Sequence, residues 1–204
     1  MNLEEGKLLV KLARNSIITF FSSKIIDLDS TDKFQDKQGV FVTLTKFSRL
    51  RGCIGFAQAV FPLQRAIIEA ARAAAFEDPR FPNVLEEEMD DICVEVSVLT
   101  VPNLIKVDHI KQFFDKIEIG KHGLIIRKGI YSGLLLPQVF IDHDSTPKQA
   151  LEMTCQKAGM DVNTWKEKDV QVFRFSAQIF KEEEPSGEII EEIIAHDWQF
   201  CMAC

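Results

Sequence analysis

The sequence predicts an α+β fold: a mostly antiparallel sheet with flanking helices. Three observations carry this. β-rich runs come in pairs joined by short polar connections, residues 40–45 with 50–54 and residues 123–127 with 130–136, and each pair reads as a hairpin. Helical periodicity is confined to separate stretches, chiefly residues 3–22, 63–76 and 147–158. Strand and helix do not alternate in the regular order that a parallel sheet requires. At 204 residues, with roughly 150 per domain, the chain is expected to form one domain over residues 1–204. Two lobes within it would meet at a joint near residues 78–91. That is enough chain to bury a core without disulfides or a structural metal.

Each element has its own warrant. Leu8, Leu9, Leu12, Ile17, Phe20 and Phe21 return at helical spacing over residues 3–22, and Asn2 stands where a cap belongs. Residues 24–38, with Asp27, Asp29, Asp32 and Asp36, read as a polar loop. The first hairpin follows, with its connection at 46–49. Pro62 occupies a first helical position, and the alanines of residues 70–75 let another backbone approach, so this helix should pack closely on a sheet before stopping at Asp78-Pro79. Pro79 and Pro82 hold residues 80–83 out of helix. Val94, Val96 and Val98 share one face of a strand over 92–99, with Glu95 and Ser97 on the other; Val101-Pro102 ends it.

Residues 108–117 predict a short helix with Ile110, Phe113 and Phe114 inward. The second hairpin turns at Lys128-Gly129. Thr146-Pro147 caps and opens a helix to Ala158, which Gly159 ends. Residues 171–180 alternate as one late strand, residues 182–187 form a solvated turn, and residues 188–194 make a last strand.

Charge and composition exclude several classes. No stretch approaches the ~20 apolar residues of a membrane-spanning helix, and Glu4 and Glu5 stand where a signal peptide carries basic residues. Five cysteines, an odd number, without an export signal argue for reduced thiols and a cytoplasmic setting. A net charge of −7 argues against a nucleic-acid partner. The charge is uneven: residues 37–68 hold Lys37, Lys46, Arg49, Arg51 and Arg65 and no acid, while eight acids stand against Arg80 alone between Glu77 and Glu95. The basic segment either accepts a small anionic ligand or pairs with the protein's own acidic surface, and internal pairing carries the greater weight. Phe47, Phe56 and Phe61 interleave that segment; with sixteen phenylalanines in the chain, core packing explains them better than a nucleic-acid platform. No glycine-rich phosphate loop is present. Cys201 and Cys204 have metal-ligand spacing, but with His196 they supply three ligands at most, so no metal site and no cofactor is expected.

Five motifs in order give the chain a family resemblance: Leu50-Arg51-Gly52-Cys53-Ile54-Gly55, residues 75–81 (Ala-Phe-Glu-Asp-Pro-Arg-Phe), residues 95–99 (Glu-Val-Ser-Val-Leu), residues 121–124 (Lys-His-Gly-Leu) and residues 133–139 (Gly-Leu-Leu-Leu-Pro-Gln-Val). The sequence resembles the AMMECR-type domain family, whose prokaryotic members are also called AmmeMemoRadiSam system protein A. The resemblance spans almost the whole chain. It implies two unequal lobes around a cleft, with the Leu-Arg-Gly-Cys-Ile-Gly motif near it, and an unestablished biochemical activity. It also implies, from gene context, a Memo-like protein and a radical S-adenosylmethionine protein as partners.

Within that motif, Arg51 and Cys53 stand two residues apart on a strand and are expected to share a face, where the cation would favour thiolate. Gly52 and Gly55 clear space for another backbone or a ligand. Cys53 is thus a candidate nucleophile, His122 its candidate base and Glu95 the candidate orienting carboxylate. Arg51 and Arg49, with Gly52 and Gly55, are candidate ligand contacts, since arginine suits bidentate binding of phosphate or carboxylate. The competing reading makes Cys53 a small buried thiol and the glycines packing devices, and it carries the greater weight because free cysteine is among the most buried residue types. Two functions follow: a catalytic or accessory component using this cleft, or a non-enzymatic adaptor that binds a protein or ligand there.

Overall fold

The structure is a computed structural model that describes residues 1–22, 26 and 31–192. The elements run α1 (Leu3–Ser22), β1 (Gly39–Lys46), β2 (Arg49–Phe56), α2 (Leu63–Phe76), β3 (Ile92–Leu99), β4 (Asn103–Leu104), α3 (Gln112–Lys116), β5 (Gly123–Lys128), β6 (Tyr131–Leu135), α4 (Pro137–Asp142), α5 (Pro147–Lys157), β7 (Gln171–Phe175), β8 (Ala177–Glu182) and β9 (Ile189–Glu192). The fold is α+β, as expected. The chain divides into two compact units: Met1–Leu99 with Gln178–Glu192, and Thr100–Ala177. Residues 78–91 lie inside the first.

The first unit holds a five-stranded sheet in the order β2-β1-β3-β8-β9, with β1 antiparallel to both β2 and β3 and β8 antiparallel to β9. Alternation sets its two faces. Val40, Val42 and Leu44 of β1 and Val94, Val96 and Val98 of β3 are buried in one core with Leu9, Ala13 and Ile17 of α1 and Ile67, Ala70 and Ala74 of α2. A reciprocal cap starts α1: Asn2 Oδ1 accepts from the Glu5 N–H at 2.9 Å, and Glu5 Oε2 accepts from the Asn2 N–H at 3.1 Å. Between β1 and β2, Phe47 and Ser48 carry φ of 50° and 60°, the two left-handed residues of the two-residue turn that suits a hairpin's twist.

The second unit has its own sheet, β4-β7-β5-β6, antiparallel throughout, and its own core around Leu124, Ile126, Phe140, Leu151 and Trp165. Thr146 caps α5 as its sequence predicts, accepting from the Gln149 N–H at 3.3 Å, and Gly159 follows its end with φ +71°.

Three expectations need correction, and one helix was not expected. Residues 171–180 are two strands, not one: β7 belongs to the second sheet and β8 to the first, parted at Ser176. Ser176 makes two hydrogen bonds with Thr100, its carbonyl accepting from the Thr100 N–H and its N–H donating to the side-chain Oγ1 of Thr100, both at 2.9 Å. Simple alternation cannot separate two short strands that no glycine or proline divides. Helix α4 has no periodic signature and starts on Pro137. Ile110 is 43 % exposed, because α3 begins only at Gln112. Glu182 is buried against Arg14 and opens no solvated turn. Part of the expected loop at 24–38, the strand residues beyond Glu192, and His196, Cys201 and Cys204 lie outside the described residues.

Candidate functional site

Strand β2 carries the Leu-Arg-Gly-Cys-Ile-Gly motif. It is the last strand of its sheet, so its outer N–H and C=O groups need partners other than a strand. Asp78 and Arg80 supply them. The Cys53 N–H donates to Asp78 Oδ2 at 2.9 Å, and Arg80 Nη2 donates to the Cys53 carbonyl at 3.2 Å. The two side chains also hold each other, Arg80 Nη2 to Asp78 Oδ2 at 2.6 Å and Nε to Oδ1 at 2.9 Å. The Asp78 side chain is 1 % exposed. The Arg80 guanidinium, with the N–H donors of Cys53 and Arg80, holds its carboxyl well below the usual carboxylate range.

Arg51 sits where the β1–β2 register shifts: Leu44 faces Gly52 and Thr45 faces Leu50, so Arg51 is the extra residue of a bulge. Its guanidinium is spent locally. Nε and Nη2 donate to the two Glu88 oxygens at 3.2 and 2.9 Å, Nη1 to the Pro82 carbonyl at 2.9 Å and Nη2 to the Asn83 carbonyl at 3.2 Å. Lys46 joins through Glu88 at 3.3 Å and Asp91 at 3.4 Å. These contacts hold the Glu88 carboxyl down to about 2, with Arg51 the largest cause. The basic segment therefore meets the protein's own acidic one. Arg49, exposed at the start of β2, makes no ion pair among the described residues.

Cys53, Thr43 and Glu95 form a row across three strands, Thr43 facing Cys53 on one side and Glu95 on the other. Thr43 Oγ1 lies 3.4 Å from Cys53 Sγ, and Ser97 Oγ donates to Glu95 Oε1 at 3.2 Å. Burial pushes the Cys53 thiol up; the Thr43 hydrogen bond and the Arg80 charge oppose this without prevailing. The cation beside the thiol is thus Arg80 rather than Arg51. Sequence reasoning missed Asp78 and Arg80 as site residues, although both stand in a quoted motif.

The glycines have packing reasons. A Cβ on Gly52 would come within 2.1 Å of the Ala74 carbonyl oxygen of α2, and one on Gly55 within 2.2 Å of the Val40 carbonyl oxygen. His122 belongs to the second unit. Its Nδ1 accepts from the Glu118 N–H at 3.0 Å, which leaves the ring proton on Nε2. Burial, aided by the Arg174 charge, pushes its pKa down. Phe47 is 74 % exposed, against the core-packing expectation, whereas Phe56 and Phe61 pack edge to face at 5.3 Å. Among the described residues no group of three or more His, Cys, Asp or Glu side chains is placed to hold a metal, and no helix is long and apolar enough to cross a membrane.

The fold is that of an α+β protein of two antiparallel sheets, with the Leu-Arg-Gly-Cys-Ile-Gly motif on the buttressed edge strand β2 of the first. Residues 10–180 match the AMMECR1 family model, and the chain belongs to that family. It is 45 % identical over 202 residues to the protein MK0488 of Methanopyrus kandleri, covering 97 % of this chain and 98 % of that one. It is 47 % identical over 195 residues to MJ0810 of Methanocaldococcus jannaschii, covering 94 % and 97 %. The crystal structure of the uncharacterized protein PH0010 from Pyrococcus horikoshii is similar with a TM-score of 0.89 at 44 % identity, over 95 % of this chain and 98 % of that one.

Proposed function

We propose that this chain is a cytoplasmic accessory component that works by binding a partner, not a thiol enzyme. One observation carries the reading. The two chemically suggestive residues of the motif are held by the fold: Arg51 holds the loop at 82–88 with its donors, and Cys53, half-buried, lies against Thr43 with its backbone clamped by Asp78 and Arg80. A nucleophilic cysteine needs a depressed pKa and a base with a free lone pair. Burial moves this thiol the other way, and the Nδ1 lone pair of His122 is engaged within its own unit. The partners are then a Memo-like protein and a radical S-adenosylmethionine protein, as the family resemblance implies. The exposed Arg49 at the start of β2, which makes no ion pair among the described residues, is then the cation placed to meet an acidic group on either.

The test is the pH dependence of alkylation at Cys53, read by mass spectrometry with the other four cysteines as internal controls. The expected result is a Cys53 that reacts slowly at neutral pH and speeds up only above the ordinary thiol range. An apparent pKa well below the unperturbed ~8.5 would overturn the reading and restore Cys53 as nucleophile, with His122 and Glu95 as its partners and a small anionic molecule as substrate.

A further inference from the structure

Of the four edge strands, β2 and β6 are finished differently. The outer backbone groups of β2 at Cys53 are capped by Asp78 and Arg80. Those of β6 have no counterpart among the described residues. Lys128 and Tyr131 face each other across the two-residue turn Gly129-Ile130, so Tyr131, Gly133 and Leu135 bond back to β5, while the N–H and C=O groups of Ser132 and Leu134 point outward. No hydrogen bond to these outward groups is made by any described residue. The strand, Tyr-Ser-Gly-Leu-Leu, also lacks the lysine, proline or bulge that usually guards an edge.

At the turn end of that edge lies a cavity of about 500 Å³ whose walls include Lys128, Ile130, Tyr131, Met160, Asp161 and Asp169. Ile130 is 93 % exposed at the turn and Tyr131 51 %, an apolar tip where turn residues are usually polar. The lysine is already neutralised, 2.6 Å from Glu167 and 3.7 Å from Asp169. Among the described residues the Asp161 carboxylate accepts only from Asn163 and has no cationic partner.

We propose that the outer edge of β6 is a docking site for an extended segment of a partner protein, which adds as a further strand. The outward N–H and C=O of Ser132 and Leu134, which no described residue pairs, specify an extended backbone. The cavity takes one large apolar side chain of that segment against Ile130, Tyr131 and Met160. A lysine or arginine nearby in the segment answers the Asp161 carboxylate. This surface lies wholly within the second unit, and the behaviour of Cys53 bears on it in neither direction.

The test is selection of a displayed library of random dodecapeptides on the full chain. The expected result is enrichment of peptides that combine a large apolar residue with a lysine or arginine within three positions. Their affinity should fall at least tenfold for Ser132→Pro, which deletes an outward N–H and leaves every bond to β5 in place. It should fall similarly for Ile130→Lys, a change at a side chain the fold does not use. Asp161→Asn should erase the preference for a basic residue. No enrichment, or enriched peptides that bind Ser132→Pro and Ile130→Lys as they bind the parent, would overturn the proposal. So would a dimer in solution that Ser132→Pro dissolves, because the edge would then belong to a second copy of this chain.

Discussion

Arg14 and Glu182, 168 positions apart, face each other as a buried bidentate ion pair in the first unit. Arg14 Nε and Nη2 each lie 2.6 Å from a Glu182 oxygen, and the two side chains are 8 % and 3 % exposed. Arg14 also donates to the Met89 carbonyl at 3.1 Å and to the Ile92 carbonyl, and Glu182 accepts from the Val94 N–H at 2.9 Å. One pair thus ties α1, the start of β3 and β8 together. Breaking a buried pair on one side strands the other charge, at about 3–5 kcal/mol. Glu182→Ala and Arg14→Met should each lose that much in urea unfolding, and the double variant should lose clearly less than the two together. Additive losses would mean that the pair is not coupled.

Glu88 gives the stability a defined acid limb. Its carboxyl is held down to about 2 from an ordinary 4.5, chiefly by Arg51. A group depressed in the folded state contributes stability that is complete above its unfolded pKa and is lost as pH falls through the folded value. Its contribution is therefore full above pH 4.5 and declines between pH 4.5 and 2. Glu88→Gln should cost about 1.5–3 kcal/mol at pH 7, the range for hydrogen bonds to charged groups. The difference between variant and parent should shrink steadily across that acid window. A difference constant from pH 7 to pH 2 would contradict the assignment.

The close approach of α2 to β2 predicts a third loss. A methyl on Gly52 would lie 2.1 Å from the Ala74 carbonyl oxygen, a backbone atom that no rotamer change can move. Gly52→Ala should cost about 1–3 kcal/mol or more, as overpacking does. The control is Gly129→Ala at φ +55°, which meets nothing within 4 Å. There only the left-handed backbone is penalised, by roughly 1–2 kcal/mol. Thermal unfolding of both variants separates steric overlap from conformational strain.

These sites also mark where the sequence was readable. Helices α1 and α2 and strand β3 stand at the residues that periodicity and caps assign, because an apolar face repeating at 3.6 or 2 residues leaves little freedom in register. What periodicity does not encode was lost. The break at Ser176 depends on pairing with Thr100, far away in the chain. Glu182 reads as surface in an acidic run and is buried only because Arg14 meets it. At the candidate site, Cys53, Arg51 and the two glycines could be selected from their motif. Their roles depend on Asp78, Arg80, Glu88 and Ala74, which no local spacing connects to β2.

The β1–β2 turn supplies the last prediction, a gain. Phe47 and Ser48 both hold positive φ, 50° and 60°, a conformation that side chains beyond Gly, Asn and Asp adopt at a cost. The Phe47 ring is 74 % exposed and returns little burial for it; Lys46 Nζ lies 5.6 Å from the ring centroid, a contact worth about 0.5–1 kcal/mol at an exposed position. Replacing the pair by Asn-Gly, the favoured sequence for such a turn, relieves strain at two residues and forfeits only that contact. The double variant should be more stable by roughly 1 kcal/mol, within the range of strain stored at such positions, with the denaturant slope unchanged. A net loss of stability would mean that the Phe47 ring is held by contacts that outweigh its backbone cost.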